Sequence, residues 1–352
     1  MRLVDLLGQA ESIRFQIYDG RSRQASTLLR DMRERFNIHE SPSLVGYTQL
    51  AEGLLLQQSG DWYQANDRLR RAEILARLAF NAELSGLAKV WASHCDFNLG
   101  RYEDSARKLV EITPGYSGGA NEFSHRYCLG VAQLLAFVGD WGGAQVWFDR
   151  ARTIAGAIGS RGLFSVAVFN QFAMRIWNSL LLSRVSLGVI TADAQGEIEN
   201  LRAALNYDDL TGVSNRPVLH NLLYAQAMGA VGRHDDAIVI LERLLDDSSG
   251  LGSTDVWRAR LEFAWNVSAS GSLDARKDEL TDMLSSCFEQ LVDDDELSLA
   301  HSIHAEISRV NGDEKLRGMH AEASEYYRMQ LQRRRVETAE ILKSAHLSDP
   351  GI

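Results

Sequence analysis

The chain is poor in helix breakers. Its 352 residues include four prolines, at positions 42, 114, 217 and 350. A turn-rich β sandwich needs more interruptions than that, whereas long helices need few. Cysteine is scarce as well. Cys95, Cys128 and Cys287 make an odd and small set, which is no disulfide framework and suits a reducing compartment. Positive charge is in deficit: 37 Lys and Arg stand against 47 Asp and Glu, a net charge of -10. That balance removes the basic footprint a nucleic-acid binder needs. No uncharged apolar run reaches the roughly 18 residues of a spanning helix; the longest candidate, 163–182, contains Asn170, Gln171, Arg175 and Asn178. Asp5 and Glu11 interrupt the apolar start, so it does not read as a signal peptide. The expectation is a cytoplasmic protein with neither a membrane nor a nucleic acid as partner.

What the chain has is a recurring short segment. Gly60-Asp61-Trp62-x-x-Ala65 is followed by Leu69 and Ala72, and Gly139-Asp140-Trp141-x-x-Ala144 by Phe148 and Ala151. Gly100-Arg101-Tyr102-x-x-Ser105 precedes Leu109 and Ile112; Gly232-Arg233-His234-x-x-Ala237 precedes Leu241 and Leu244. A weaker copy, Gly20-Arg21-Ser22-x-x-Ala25, precedes Leu29 and Met32. Each part has a physical reason. The glycine follows an apolar-periodic stretch, where a left-handed residue ends a helix. The small residue five positions later lets two helices approach, the aromatic fills the crook of the turn, and the spaced apolar residues continue one helical face. The glycines fall at 20, 60, 100 and 139, resume at 232, and have looser counterparts at 271 and 312. Steps near 40 residues are the mark of a helical repeat array. The gap after 139 holds one longer hairpin, its helices ending near Gly188 and Tyr207.

The pattern Gly-x-aromatic-x-x-Ala-x-x-x-apolar-x-x-Ala at 60–72 and 139–151, with Gly53 at the small position of the preceding helix, resembles the tetratricopeptide (TPR) family. The repeat here is longer than the family's 34 residues by about six. The resemblance implies an all-α fold: a right-handed α-α superhelix of about eight helical hairpins over 1–315, then a long capping or connector helix over 316–352. It also implies a concave groove lined by the first helix of each hairpin. Carried over residue by residue, the inward positions include Tyr47, Leu50, Leu54 and Gln57; Leu87, Val90, His94 and Asn98; Arg126, Leu129, Gln133 and Phe137; and Leu222 and Gln226. Asn170, Gln171, Arg175 and Asn178 belong to the central hairpin, nearby. Amides in such a row suit an extended peptide backbone, and the arginines suit a carboxylate or phosphate. The partner this implies is a peptide, a protein or a small effector; a second copy of the chain, meeting through the C-terminal helix, is a further candidate. The family's carboxylate clamp of Lys and Asn is not in register, so no chaperone-tail receptor is expected.

Two strings resemble another family. Asp208-Asp209-Leu210-Thr211-Gly212-Val213-Ser214-Asn215-Arg216 is similar to the opening of the GGDEF diguanylate cyclase domain, and Gly118-Gly119-Ala120-Asn121-Glu122-Phe123 to its signature loop. Their order along the chain is reversed relative to that family. The residues after Arg216 read as a helical hairpin, so Asp208–Arg216 reads as a loop, with Ser214 capping a helix and Pro217 in its first turn. The C-terminal helix and Leu347-Ser348-Asp349-Pro350 also resemble the connector into such an output domain. One alternative is therefore a sensory input region whose catalytic half is absent; another is a pure structural scaffold.

His94-Cys95 with His125-x-x-Cys128, and His301-x-x-His304 with Glu306, lack the spacing of a zinc site, so neither a metal nor a cofactor is expected. No phosphate-binding glycine loop or nucleophile elbow is present, and no catalytic residue is assigned. The acidic run Asp293–Glu296 reads as a solvated helix start. The basic run Arg333–Arg335 reads as paired within its own helix with Glu337 and Glu340. The expected function is a non-enzymatic interaction or ligand-sensing module.

Overall fold

The computed structural model describes residues 3–35, 41–116, 118–185, 192–213, 217–248 and 251–347. Among these residues there are sixteen α-helices and no strand. In order they are α1 (Leu3–Tyr18), α2 (Ser22–Arg35), α3 (Pro42–Gln58), α4 (Trp62–Leu78), α5 (Ala82–Asn98), α6 (Tyr102–Ile112), α7 (Glu122–Val138) and α8 (Trp141–Ile158). The second half holds α9 (Arg161–Val185), α10 (Ala192–Thr211), α11 (Pro217–Ala230), α12 (His234–Asp246), α13 (Ser253–Ala269), α14 (Leu273–Leu284), α15 (Asp294–Val310) and α16 (Glu314–Ser344). Taken two at a time they make eight successive pairs. The fold is all-α and TPR-like, with a long final helix of 31 residues.

The turn chemistry explains the recurring segment. The N–H of Gly60 donates to the Gln57 carbonyl at 3.1 Å, and that of Asp61 to the Leu56 carbonyl at 3.0 Å. This pairing ties off the last carbonyls of α3 and requires a left-handed residue, which Gly60 supplies with φ of +77°. The Asp61 carboxylate then accepts from the Gln64 N–H at 3.1 Å and caps α4. One residue stops a helix and the next starts another. The same two backbone bonds close the turns at Gly20, Gly100, Gly139, Gly232, Gly271 and Gly312. They also close two turns that the glycine pattern does not mark as hairpins. One is at Gly159, between α8 and α9. The other is at Phe80, between α4 and α5, where a non-glycine residue takes φ of +53° with its ring in solvent.

The close approach after each turn rests on small residues. Ala25, Ala65, Ala144 and Ala237 have no exposed surface, and Ser105 almost none. A Cβ at Gly53 would stand 2.8 Å from Leu69 Cγ, nearer than real side chains come, so α3 and α4 touch there only because the residue is glycine.

Two expectations need correction. The second central helix, α10, does not end near Tyr207 but runs on to Thr211. The first four residues of the string that resembles a cyclase opening, 208–211, are therefore the last turn of a helix, followed by the left-handed Gly212, φ +68°, with Leu210 in solvent. It is not the loop expected from sequence. Ser214, Gly188 and residues 348–350 lie outside the described residues; Pro217 is the first residue of α11. The other string, 118–123, leads into α7, with Asn121 Oδ1 accepting from the Ser124 N–H at 2.8 Å.

The chain divides into two compact units. The first holds residues 1–171, 206–215 and 337–352; the second holds 172–205 and 216–336. Within the first, α3 packs on α4, α4 on α5, and α5 on both α6 and α7, which packs on α8. The carboxylate of Asp96, fully buried on α5, knits three helices: it accepts from Asn66 Nδ2 of α4 at 2.7 Å and pairs with Lys108 of α6. The chain's end is docked in this unit too. Leu342 and Leu347 are fully buried, and the Trp147 indole donates to the Leu347 carbonyl at 3.1 Å. In the second unit α11, α12, α13, α14 and α15 repeat the order of the first, with α13 against both α11 and α15.

The packing at Ala144 yields a test. Ala144→Trp should destabilise the protein by about 1–3 kcal/mol or more through overpacking, read as a lower denaturant midpoint. An unchanged midpoint would mean that α7 and α8 do not meet there.

Candidate functional site

The first helices of the first unit share a buried polar cluster. Arg14 and Tyr18 stand one turn apart on α1, and Glu122 and Arg126 one turn apart on α7, so each pair shares a helical face. The Tyr18 hydroxyl donates to Glu122 Oε1, and Arg14 Nε lies 3.4 Å from Glu122 Oε2. Arg14 also sits over the Tyr47 ring of α3, 5.3 Å from its centre. The Arg126 guanidinium lies on the face of Trp91 of α5, 3.8 Å from the ring centre, and 5.2 Å from that of Tyr18. Tyr18 and Trp91 are themselves stacked at 5.9 Å.

Burial sets the electrostatics. It pulls the Arg126 guanidinium down to about 10, against the opposing pull of Tyr18 and Glu122. Burial also works against the Arg14 charge, but Glu122, Tyr18 and Tyr47 outweigh it and hold its pKa above the ordinary value. The Tyr18 hydroxyl is pushed well upward, by burial first and by Glu122 next. His125, beside Arg126 in sequence, is driven well below its usual range by burial and then by Arg126. Its Nε2 is 3.0 Å from the Leu163 carbonyl, and in the neutral ring that nitrogen is the donor.

The residues expected to line a groove divide into three groups. Arg126 and His94 meet Trp91, and Tyr47 and Asn98 join through neighbours: Tyr47 lies under Arg14, the His94 ring meets the rings of Trp91 and Trp62 edge-on, and Asn98 Nδ2 donates to the His94 carbonyl at 2.9 Å. A second group forms ties between successive first helices. Gln57 Nε2 donates to Cys95 Sγ at 3.0 Å, Gln133 Nε2 to Asn170 Oδ1 at 2.9 Å, and Gln226 Nε2 to Glu262 Oε1 at 2.7 Å. Gln133 and Gln226 occupy the same register, six residues before their turn glycines. Gln171 turns instead to the second helix α8, donating to Gln145 Oε1 at 2.7 Å and accepting from Arg152. The third group is dispersed. Phe137 is fully buried, stacked on Tyr102 at 3.8 Å, and has no surface to offer a guest. In the second unit, Asn178 Oδ1 accepts from Arg335 at 3.1 Å, and Arg175 is half-buried.

Arg14, Tyr18, Trp91 and Glu122 were not among the expected site residues. The spacing of Arg14 and Tyr18 was visible, but in the weakest repeat copy. Glu122 falls within the string that resembles a loop signature.

Two charge runs in the second unit behave differently from expectation. The acidic run at the start of α15 is not solvated: Asp294, Asp295 and Glu296 are all more than nine-tenths buried. Asp295 Oδ2 accepts from the Trp177 indole at 3.1 Å, Asp294 pairs with Arg334 at 2.5 Å, and Glu296 with Arg258 at 2.8 Å. The basic run is correspondingly not paired only within α16, since Arg334 and Arg335 reach Asp294 and Asn178. Desolvation of an acid is costly unless a cation answers it; these arginines, distant in sequence, are that answer.

Three histidines also cluster there. His301 Nδ1 is 2.9 Å from His320 Nδ1, the rings of His304 and His320 are 5.1 Å apart, and Phe288 stacks on His301 at 4.4 Å. Burial, with His320 adding to it, lowers His301 and His304 to about 4. Among the described residues no three His, Cys, Asp or Glu side chains are placed to hold a metal ion. All three cysteines are buried, which pushes Cys95 up to about 12 and Cys128 and Cys287 up to about 11. At neutral pH they are therefore thiols rather than thiolates. Among the described residues no helix is long and apolar enough to cross a membrane.

No family model and no curated protein matches the chain. Among solved structures, a Rap protein complexed with Competence and Sporulation Factor is similar to it, with a TM-score of 0.58. The alignment covers 97% of this chain and 89% of that one, at 14% sequence identity. The likeness is one of fold.

The histidine cluster yields a pH test. Unfolded histidine titrates near 6.5, and here the folded values are depressed, so between about 4 and 6.5 the unfolded chain binds more protons. This contribution is complete above the unfolded value and is lost as pH falls toward the folded one. The thermal midpoint should drop between pH 7 and pH 5, and His301→Phe with His304→Phe should shrink that drop. An equal drop in the double variant would show that other groups carry it.

Proposed function

We propose that the chain is a non-enzymatic helical-repeat module that binds a peptide, or an extended segment of a partner protein, along the faces of its first helices. The observation that carries this reading is the concentration of polar and aromatic side chains on α1, α3, α5 and α7, away from the small-residue contacts that hold each hairpin together. Guanidinium donors beside aromatic faces on neighbouring helices suit the carbonyls and side chains of an extended chain. The fold-level likeness to a Rap protein that was crystallised with a bound factor supports the same reading. A role in cytoplasmic signalling belongs to this proposal, with ligand binding favouring one arrangement of the array over another.

The docked end of α16 supports a cap for residues 316–352 in preference to a connector, because Leu342 and Leu347 are buried rather than free to transmit a movement. The input region of a cyclase and the inert scaffold are the competing readings.

The test is a screen of the intact chain against a pool of short synthetic peptides by thermal shift and calorimetry. A cognate peptide at a hundred times its dissociation constant should add about 2.7 kcal/mol of stability. A folded protein that no peptide stabilises would leave the scaffold reading in place of this one.

A further inference from the structure

Two guanidiniums and one carboxylate make an unequal set. Glu122 is engaged by Arg14 and by the Tyr18 hydroxyl, and Arg126, although it feels the Glu122 charge, is left without an ion pair of its own. Arg126 is 8% exposed, yet it makes no hydrogen bond and no ion pair. One face of its planar group is covered by Trp91, so the fork of N–H donors along its edge is what remains to be used. Its Nε is buried without a hydrogen-bond partner, as is Nη1 of Arg14. Buried charges in folded proteins are paired, and buried donors find acceptors. A buried guanidinium stacked on an aromatic ring with its whole donor edge unused is a receptor for a planar anion, because a carboxylate accepts two parallel bonds from that edge.

We propose that Arg126, backed by Trp91 and Tyr18 and flanked by Arg14, is the binding site for a carboxylate of the bound peptide. This assignment rests on the peptide-binding reading and adds its ligand chemistry. The carboxylate belongs either to the peptide's C-terminus or to an Asp or Glu side chain; both present the same planar group. Glu122 has a positioning role: it holds Arg14 and Tyr18 in place on α1 and, as a like charge near the incoming carboxylate, works against its entry.

The test uses the full chain and three pools of synthetic pentapeptides: free acids of mixed composition, the same peptides amidated at the C-terminus, and free acids lacking Asp and Glu. Affinity is read by calorimetry and folding by circular dichroism. Amidation, or omission of acidic residues, should weaken binding at least tenfold, and the pool that loses affinity identifies the source of the carboxylate. Arg126→Met should lose the same preference while remaining folded, since it removes an unpaired buried charge. Arg126→Lys should bind at an intermediate level, and Glu122→Gln should bind more tightly than the parent. If peptides bind but neither amidation nor omission of acids changes their affinity, the carboxylate site is wrong and the peptide reading survives. If no pool binds the folded protein, both fall. The two peptide comparisons, amidation and omission of acids, leave the protein unaltered, so together they decide the matter even where a variant fails to fold.

Discussion

A helix that must reverse within three residues has to end in a left-handed conformation, and the next helix has to begin before its first N–H groups are stranded. That backbone constraint underlies everything else in this protein. Gly60 and Gly139 meet it at little conformational cost, and the aspartates that follow them cap the incoming helices. Because the reversal is so tight, the two helices of a pair are in contact from their first turn. The residues five positions on must then be small, which Ala65 and Ala144 are. The hairpin follows from turn chemistry first and apolar periodicity second. Phe80 shows that the geometry outranks the residue type: the chain accepts a left-handed aromatic there, with its ring in water, in order to keep the same pair of backbone bonds.

Once the hairpins exist, their first helices become neighbours, and the polar side chains on them must find partners in a partly buried setting. Gln57, Gln133 and Gln226 do so by bonding from one first helix to the next. These ties are directional, so they fix register where apolar contacts alone would tolerate sliding. Asp96 plays the same part across three helices, and the acids at the start of α15 do so with Arg258 and Arg334. Most buried charge here is answered by charge. Arg126 differs: its buried guanidinium rests on the Trp91 and Tyr18 rings, and no ion pair answers it among the described residues.

The polar cluster around Trp91 brings together Arg14, Tyr47, Trp91 and Arg126, one from each of four first helices, α1, α3, α5 and α7. No pair within one helix makes the site. It depends on the stacking of hairpins, so a change in that stacking alters the distance between Arg14 and Arg126.

Much of the fold is legible in the sequence, because the turns are local. Gly20, Gly60, Gly100, Gly139, Gly232, Gly271 and Gly312 were all assigned as helix ends, and each takes positive φ, since the requirement for a residue without a Cβ is met within a few positions of sequence. The turn at Phe80 was not legible, because nothing in its residue type announces a left-handed backbone. The site was legible only in part. Arg126 and Tyr47 stood out as residue types on inward positions, but their partners Arg14, Trp91 and Glu122 lie 30 or more residues away along the chain from at least one residue they touch. The acidic start of α15 looked like any solvated helix terminus, because the arginines that bury it are far off in the sequence. Local backbone geometry was determined by the sequence itself. Which charges meet, and which one is left unmet, was decided by the stacking of helices, because an electrostatic partner is chosen by distance in space and by burial, and neither is written in the order of residues.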